Sequence, residues 1–265
     1  MQLAGSRVLL TGATGGIGRA IAVTLHRHGA HVLLNGRRAD VLEEIRTGLG
    51  ARVECLAGDL SGTAAAAELA SRAGTVDVLV ANAALPGSGR VDDFSPEDID
   101  RVLDVNLRAP IQLARALLPG MLERRHGHLV FVSSLSGKVA SMRTGIYSAT
   151  KFGLRGFAAG LREDLHGSGV GVTVVFPGFV SDAGMFAEAE IELPRGVGTV
   201  RPDQVADAVV SGIERGRAEI DVAPLALRVG TAIASLAPVT MARVQRRLGS
   251  SELADALADG QRSKR

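Results

Sequence analysis

Apolar and polar positions along the chain alternate between two periods. Residues 7–11 form a short apolar run ending in a glycine-rich turn, and 31–35, 52–56, 76–81, 128–133, 170–176 and 219–222 are runs of the same kind. Such runs, bounded by turn residues, read as buried strands. Between them apolar residues recur at helical spacing. Residues 16–28 place Ile17, Ile21, Ala22 and Leu25 on one face, and 41–49, 63–73, 147–166 and 202–215 repeat the pattern. A longer helical stretch, about 96–125, contains Pro110, where a bend is expected. Strands alternating with helices of these lengths imply βαβ units and a parallel sheet covered on both faces.

Right-handed crossovers make this a Rossmann-type doubly wound α/β sheet. No repeat or Pro/Ser-rich linker divides residues 1–224, which read as one domain. Residues 225–250 read as a C-terminal helical extension interrupted near Pro238, and 251–265 as a flexible tail. The extension is apolar but carries Arg228, Arg243, Arg246 and Arg247, and Arg228 and Pro238 count against a membrane span. Packing on the domain or at a subunit interface is the preferred reading, with contact at a membrane surface as the alternative.

With 265 residues, 46% of them apolar and 22% charged, the chain can bury a sizeable core. A formal net charge of +2, without a basic stripe interleaved with aromatics, gives no ground for a nucleic-acid partner. Cys55 is the only cysteine, so no internal disulfide can form, and no Cys/His cluster has metal-ligand spacing. The opening residues read as a strand rather than a leader, so a cytoplasmic location is expected.

The candidate chemistry starts at the first strand, which runs into Thr11-Gly12-Ala13-Thr14-Gly15-Gly16-Ile17-Gly18 and then a helix. Glycine lets the chain turn sharply and lets a phosphate approach without a Cβ in the way. The free N–H groups of a helix N-terminus suit a pyrophosphate. The glycines follow the spacing T-G-x-x-x-G-x-G, not G-x-G-x-x-G. With Asp59-Leu60, Asn82-Ala83-Ala84, Asn106, Ser134, Tyr147-Ser148-Ala149-Thr150-Lys151 and Pro177-Gly178 following in order, the chain resembles the short-chain dehydrogenase/reductase family over about residues 7–222. The resemblance implies a dinucleotide on the glycine turn. It also implies Asp59 and Leu60 at the adenine, Asn82 and Ala84 supporting the cofactor, and Pro177, Gly178 and Val180 against the nicotinamide.

The end of the second strand indicates which dinucleotide. An acidic residue there would accept the ribose hydroxyls of NAD. The chain has Asn35-Gly36-Arg37-Arg38 instead. A guanidinium can grip a 2′-phosphate through two hydrogen bonds, so NADP is expected ahead of NAD, with Arg37 as the first contact and Arg38 as the second.

Tyr147 is the only tyrosine, and Lys151 lies one helical turn later on the same face. Only Lys138, Lys151 and Lys264 are lysines, so a lysine at this spacing arises by chance about once in a hundred. An ammonium beside a phenol favours the phenolate, so Lys151 is expected to lower the Tyr147 pKa. Ser134 sits at a strand end where such sheets bind ligands. Ser133 and Ser136 compete with it, and the family's spacing favours Ser134. The resemblance adds Asn106, implied to help hold a water beside the lysine, and a second role for Lys151 on the nicotinamide ribose.

Together these residues imply hydride transfer between NADP and a carbonyl or alcohol, with the proton moved by Tyr147. The competing readings are a cofactor-binding sensor or scaffold without turnover, and an isomerase or dehydratase using bound cofactor. Three positions depart from the family pattern. Ala84 replaces a glycine, Asp182 stands where a threonine is usual, with Ser181 as its substitute, and Phe176 replaces a smaller residue. Residues 182–200 are expected to form a substrate lid with Met185, Phe186, Ile191 and Leu193. With Val139 and Met142 they suggest an apolar substrate, while Glu188, Glu190 and Glu192 read as a solvated face. The resemblance also implies a homodimer or homotetramer joined through the Asn106 and Tyr147 helices.

Overall fold

The computed structural model describes residues 1–182, 184, 198–237, 239, 243 and 250–261. Strands and helices alternate as the periodicity requires. The order is β1 (Arg7–Leu10), α1 (Gly16–Arg27), β2 (His31–Gly36), α2 (Ala39–Leu49), β3 (Val53–Ala57), α3 (Ala65–Ala73) and β4 (Val78–Ala81). There follow α4 (Pro96–Leu103), α5 (Ala109–Glu123), β5 (Gly127–Val132), α6 (Gly145–Asp164), β6 (Val170–Pro177), α7 (Pro202–Arg215), β7 (Glu219–Val222), α8 (Leu225–Leu236) and α9 (Ser250–Gln261). All seven strands are parallel, in the order β3-β2-β1-β4-β5-β6-β7. The chain winds outward from β1 to β3, then restarts on the other side of β1 with β4. That reversal opens a crevice at the carboxyl ends of β1 and β4, where ligands bind in such sheets.

Strand alternation builds the two layers. Val8, Leu10, Val78, Val80, Val130 and Val132 pack under α1, α2 and α7, against Ile21, Leu25, Leu42, Ile45, Val205, Val209 and Ile213. Leu9, Leu79, Leu129 and Phe131 point the other way, against Leu69, Leu113, Leu117, Leu154 and Ala158 of α3, α5 and α6. Phe131 meets Phe157 edge-on at 5.6 Å. Both faces of the sheet are thus covered.

The stretch expected as one bent helix is two helices joined by a π turn at Asp104–Arg108. Pro110 has no N–H to offer the Asn106 carbonyl four residues back, and the widened turn absorbs this mismatch. The Ala109 N–H reaches back to the Asp104 carbonyl.

The C-terminus differs from expectation. Residues 251–261, assigned to a flexible tail, belong to helix α9. Its Asp255 accepts a hydrogen bond from Arg143 Nε at 2.6 Å, and Ala258 is buried, so the segment is anchored on the domain. The extension begins with α8, where Ala234 is buried while Leu225, Val229, Ile233 and Leu236 are exposed. Pro238, Arg246 and Arg247 lie outside the described residues.

His128, buried at the start of β5, gives a stability test. The Thr173 hydroxyl donates to the Arg217 carbonyl at 2.6 Å and so accepts from His128 Nε2 at 2.8 Å, which places an imidazole proton on Nε2. Burial, with smaller repulsion from the N-terminal ammonium and Arg162, pushes its pKa down to about 4. The unfolded chain then takes up this proton first. The contribution is fully present above about pH 6.5 and is lost as pH falls toward 4, costing roughly 3 kcal/mol. Urea midpoints measured from pH 7 to pH 4.5 should fall more steeply for wild type than for His128→Gln.

Candidate active site

A cleft of about 1370 Å³ opens at the carboxyl ends of the central strands, and it gathers most of the residues singled out above. Its floor is the glycine turn. Gly12 has φ +67°, and a Cβ there would sit 2.7 Å from the Ala83 Cα. A Cβ on Gly18 would collide with the Gly12 carbonyl. These close approaches, rather than loop flexibility, demand glycine. The Thr11 hydroxyl accepts from the Asn82 and Ala83 N–H groups at 3.0 and 3.1 Å, and Asn82 Nδ2 donates to the Thr11 and Gly12 carbonyls at 3.1 and 3.2 Å. Asn82 therefore clamps the end of β4 to the turn after β1. Thr11 was not singled out from sequence, because its partners lie on another strand.

At the end of β2 a Cβ on Gly36 would meet Thr14 Cγ2 at 2.8 Å, so the room left by this glycine is taken by Thr14. Arg38 Nη2 donates to the Thr14 carbonyl at 2.6 Å, while the Arg37 charge lies close enough to Asp59 to act on it. Burial would raise the Asp59 carboxyl. Hydrogen bonds from Ser61 outweigh it, helped by Arg37 and Arg101, and hold the group below the usual carboxylate range. Asp59 Oδ1 accepts from the Ser61 N–H at 3.0 Å, an Asx turn and not a helix cap, since α3 starts only at Ala65. Leu60 is buried beside it, and Thr14, Gly16, Ile17, Ala84 and Gly178 also line the cleft.

The catalytic candidates converge at the other end of the cleft. The Ser133 hydroxyl donates to the Lys151 carbonyl at 3.1 Å, which commits Ser133 to holding α6. Ser134 is left facing the cleft, where it accepts from the Ser136 N–H at 3.2 Å and hydrogen-bonds with the Tyr147 phenol. Ser133 is thus committed to fastening the helix, while Ser134 reaches the phenol and Ser136 also lines the cleft. Lys151 is buried, donates from Nζ to the Val132 carbonyl at 3.1 Å and lies 5.5 Å from the Tyr147 ring centre. Burial pushes its ammonium down to about 8.

Burial also pushes the Tyr147 phenol up to about 12, against the opposing Ser134 hydrogen bond. This reverses the expected direction for the tyrosine. The ammonium is bonded to a carbonyl under the ring instead of to the phenol oxygen, and desolvation disfavours both charged forms.

Asn106 is fully buried and does something its sequence position did not reveal. Its Oδ1 accepts from the Leu85 N–H at 2.6 Å and its Nδ2 donates to the Leu85 carbonyl at 2.8 Å. The carboxamide therefore holds the chain after Asn82-Ala83-Ala84 as a strand neighbour would.

After β6 the Gly178 N–H donates to the Val222 carbonyl at 2.9 Å, and Val180 pairs with Val200. The Ser181 hydroxyl lies 3.4 Å from the Val200 carbonyl, which it uses as its acceptor. Asp182 has φ +58°, and Gly184 packs over Ile17. The chain thus folds back over the glycine turn. Met185, Phe186, Glu188, Glu190, Ile191, Glu192 and Leu193 lie outside the described residues, whereas Val139 and Met142 line the cleft. Sequence reasoning missed the wall supplied by α8 and α9, including Ala226, Gly230, Ala234 and Ala254.

A glycine turn at the switch point, in one cleft with Ser134, Tyr147 and Lys151, has the form of a dinucleotide-dependent oxidoreductase. The sequence matches the short chain dehydrogenase family over residues 6–193, and the chain belongs to that family. It is 32% identical over 259 residues to the ketoacyl reductase HetN of Nostoc sp., covering 93% of this chain and 90% of that protein. Serine dehydrogenase in its closed form with NADP+ superposes with a TM-score of 0.74 at 31% identity, covering 83% of this chain and 95% of that one. A short-chain dehydrogenase from Sphingobium yanoikuyae in complex with NADPH gives a TM-score of 0.77 at 27% identity, covering 89% and 95%.

The Asn106 clamp predicts that Asn106→Ala leaves a buried N–H and a buried C=O unpaired. It should lower unfolding free energy by about 2–4 kcal/mol in urea titrations, whatever it does to turnover.

Proposed function

We propose that the protein is an NADP-dependent oxidoreductase that moves a hydride between the nicotinamide and the carbon of a ketone, aldehyde or secondary alcohol, with an apolar substrate preferred. The observation that carries this reading is that Ser134, Tyr147 and Lys151 meet in the same cleft as the glycine turn and the Arg37-Arg38 pair. The cleft fits the group, since the glycine turn, the Arg37-Arg38 pair and Asp59 line one continuous cavity with the Ser134, Tyr147 and Lys151 end. Gly12, Thr14, Gly16, Ile17 and Gly18 would hold the pyrophosphate. Arg37 and Arg38 would meet the 2′-phosphate, Asp59 and Leu60 the adenine, and Asn82, Ala84, Pro177, Gly178 and Val180 the nicotinamide side.

When bound, the cofactor supplies or takes up the hydride. The chain's own residues handle the proton. Tyr147, a protonated phenol at neutral pH, donates to the oxygen that gains charge during reduction. Ser134 hydrogen-bonds the same oxygen and stabilises its charge. Lys151 offers a buried ammonium beside the phenol and, on this reading, a contact for the ribose. The Asn106 helix would hold a water from which the lysine is re-protonated. Oxidation reverses these roles.

Two wider features belong to the same proposal. The protein works as a homodimer or homotetramer joined through α5 and α6, on which Leu122 and Phe152 are exposed. It acts in the cytoplasm. Among the described residues no helix is long and apolar enough to cross a membrane.

Fluorescence titration with NADPH and NADH tests the cofactor. Wild type should bind NADPH more tightly, and Arg37→Ala should weaken NADPH by about tenfold or more while changing NADH little. Equal affinity for both would contradict the NADP assignment. In assays of NADPH oxidation with a panel of ketones, Tyr147→Phe should lower kcat by about a hundredfold to ten-thousandfold.

A further inference from the structure

The cleft continues past Tyr147 into an arm built by the chain after β7. Ala226, Leu227, Gly230, Thr231 and Ala234 of α8 line it, and Val139 and Met142, from the segment before α6, line the same cavity. None of these α8 residues is among those that would hold the dinucleotide, so on that reading the arm is left to the substrate.

Two observations describe what the arm can take. The first is charge. Among the described residues lining this arm, Arg143 supplies the cation, and its Nε is bonded to Asp255 Oδ1 at 2.6 Å. Its charge is thus balanced, which removes the attraction a substrate carboxylate would otherwise find here. The second is space at Gly230. A Cβ built there meets nothing within 4 Å, so no close packing demands glycine, which is a poor residue for a helix interior. What its missing side chain leaves is room in the cavity.

We infer that this arm receives an uncharged apolar chain attached to the reacting carbonyl, and that Gly230 determines how long that chain can be. The inference rests on the proposed carbonyl chemistry at Tyr147. It assigns a substrate-selecting role to a helix beyond the residues that match the family. Arg143 and Asp255 act as positioning residues, holding α9 against the mouth of the arm.

The test reads binding, so that it stands apart from turnover. Isothermal titration of the full chain, with and without saturating NADP, would use the alkan-2-ols from butan-2-ol to decan-2-ol, and 3-hydroxybutyrate as the charged comparison. In wild type, affinity should rise by about fourfold for each added methylene until the arm is full. With Gly230→Ala and then Gly230→Leu the rise should stop at progressively shorter chains. The Leu variant should bind the longest alcohol at least tenfold more weakly, with unchanged NADPH affinity reporting an intact fold. A flat series in wild type, superimposable series for the three proteins, or tighter binding of 3-hydroxybutyrate than of octan-2-ol would overturn the inference. A protein that shows the series yet oxidises NADPH with no ketone would contradict the proposed function and leave the chain-length assignment in place.

Discussion

The site depends on how tightly α6 is fastened to the end of β5. Ser133 at the strand end bonds the Lys151 carbonyl, Lys151 reaches back to the Val132 carbonyl, and a Cβ on Gly137 would lie 2.7 Å from that same Lys151 oxygen. A buried ammonium without such a partner would carry a heavy desolvation cost. With one, it fixes the rotation of the helix and so the place of Tyr147 one turn earlier. Ser134, next to the fastening serine, is thereby brought to the phenol. Of two adjacent serines, one fastens the helix and the other faces the phenol.

A second fastening holds the cofactor end. The Thr11 hydroxyl and the Asn82 carboxamide join the ends of β1 and β4, the two strands between which the winding reverses. Asn106 extends the same logic by bonding both backbone groups of Leu85. The polar side chains at the crevice thus supply the backbone pairing that the sheet gives up where its strands diverge. The crevice can stay open without leaving unpaired N–H and C=O groups in its walls.

Much of this was legible in the sequence for a definite reason. Strand and helix periods fix the layers, and the glycine turn and the Tyr147–Lys151 pair carry their chemistry at short fixed spacings. What was not legible depends on partners far along the chain. The Asn106 clamp needs Leu85, the split between Ser133 and Ser134 needs the Lys151 carbonyl, and the tyrosine's direction of shift needs the desolvation that the folded cleft wall imposes on its phenol. The 225–261 segment shows the same limit. Its periodicity indicated helix in α8, but nothing local indicated that one side would line the cleft or that Asp255 would anchor α9 through Arg143.

On the proposed function Tyr147 works as a protonated phenol whose ionisation desolvation pushes up, beside Ser134 and Lys151. It can be read directly, because the chain has one tyrosine and no tryptophan. Near-ultraviolet absorbance of the phenolate, followed during alkaline titration of the folded protein, reports that single group. The expected ionisation lies near 12, well above the ordinary value of 10, with a further rise in Ser134→Ala. A phenolate half-formed at or below pH 10 in wild type would contradict it.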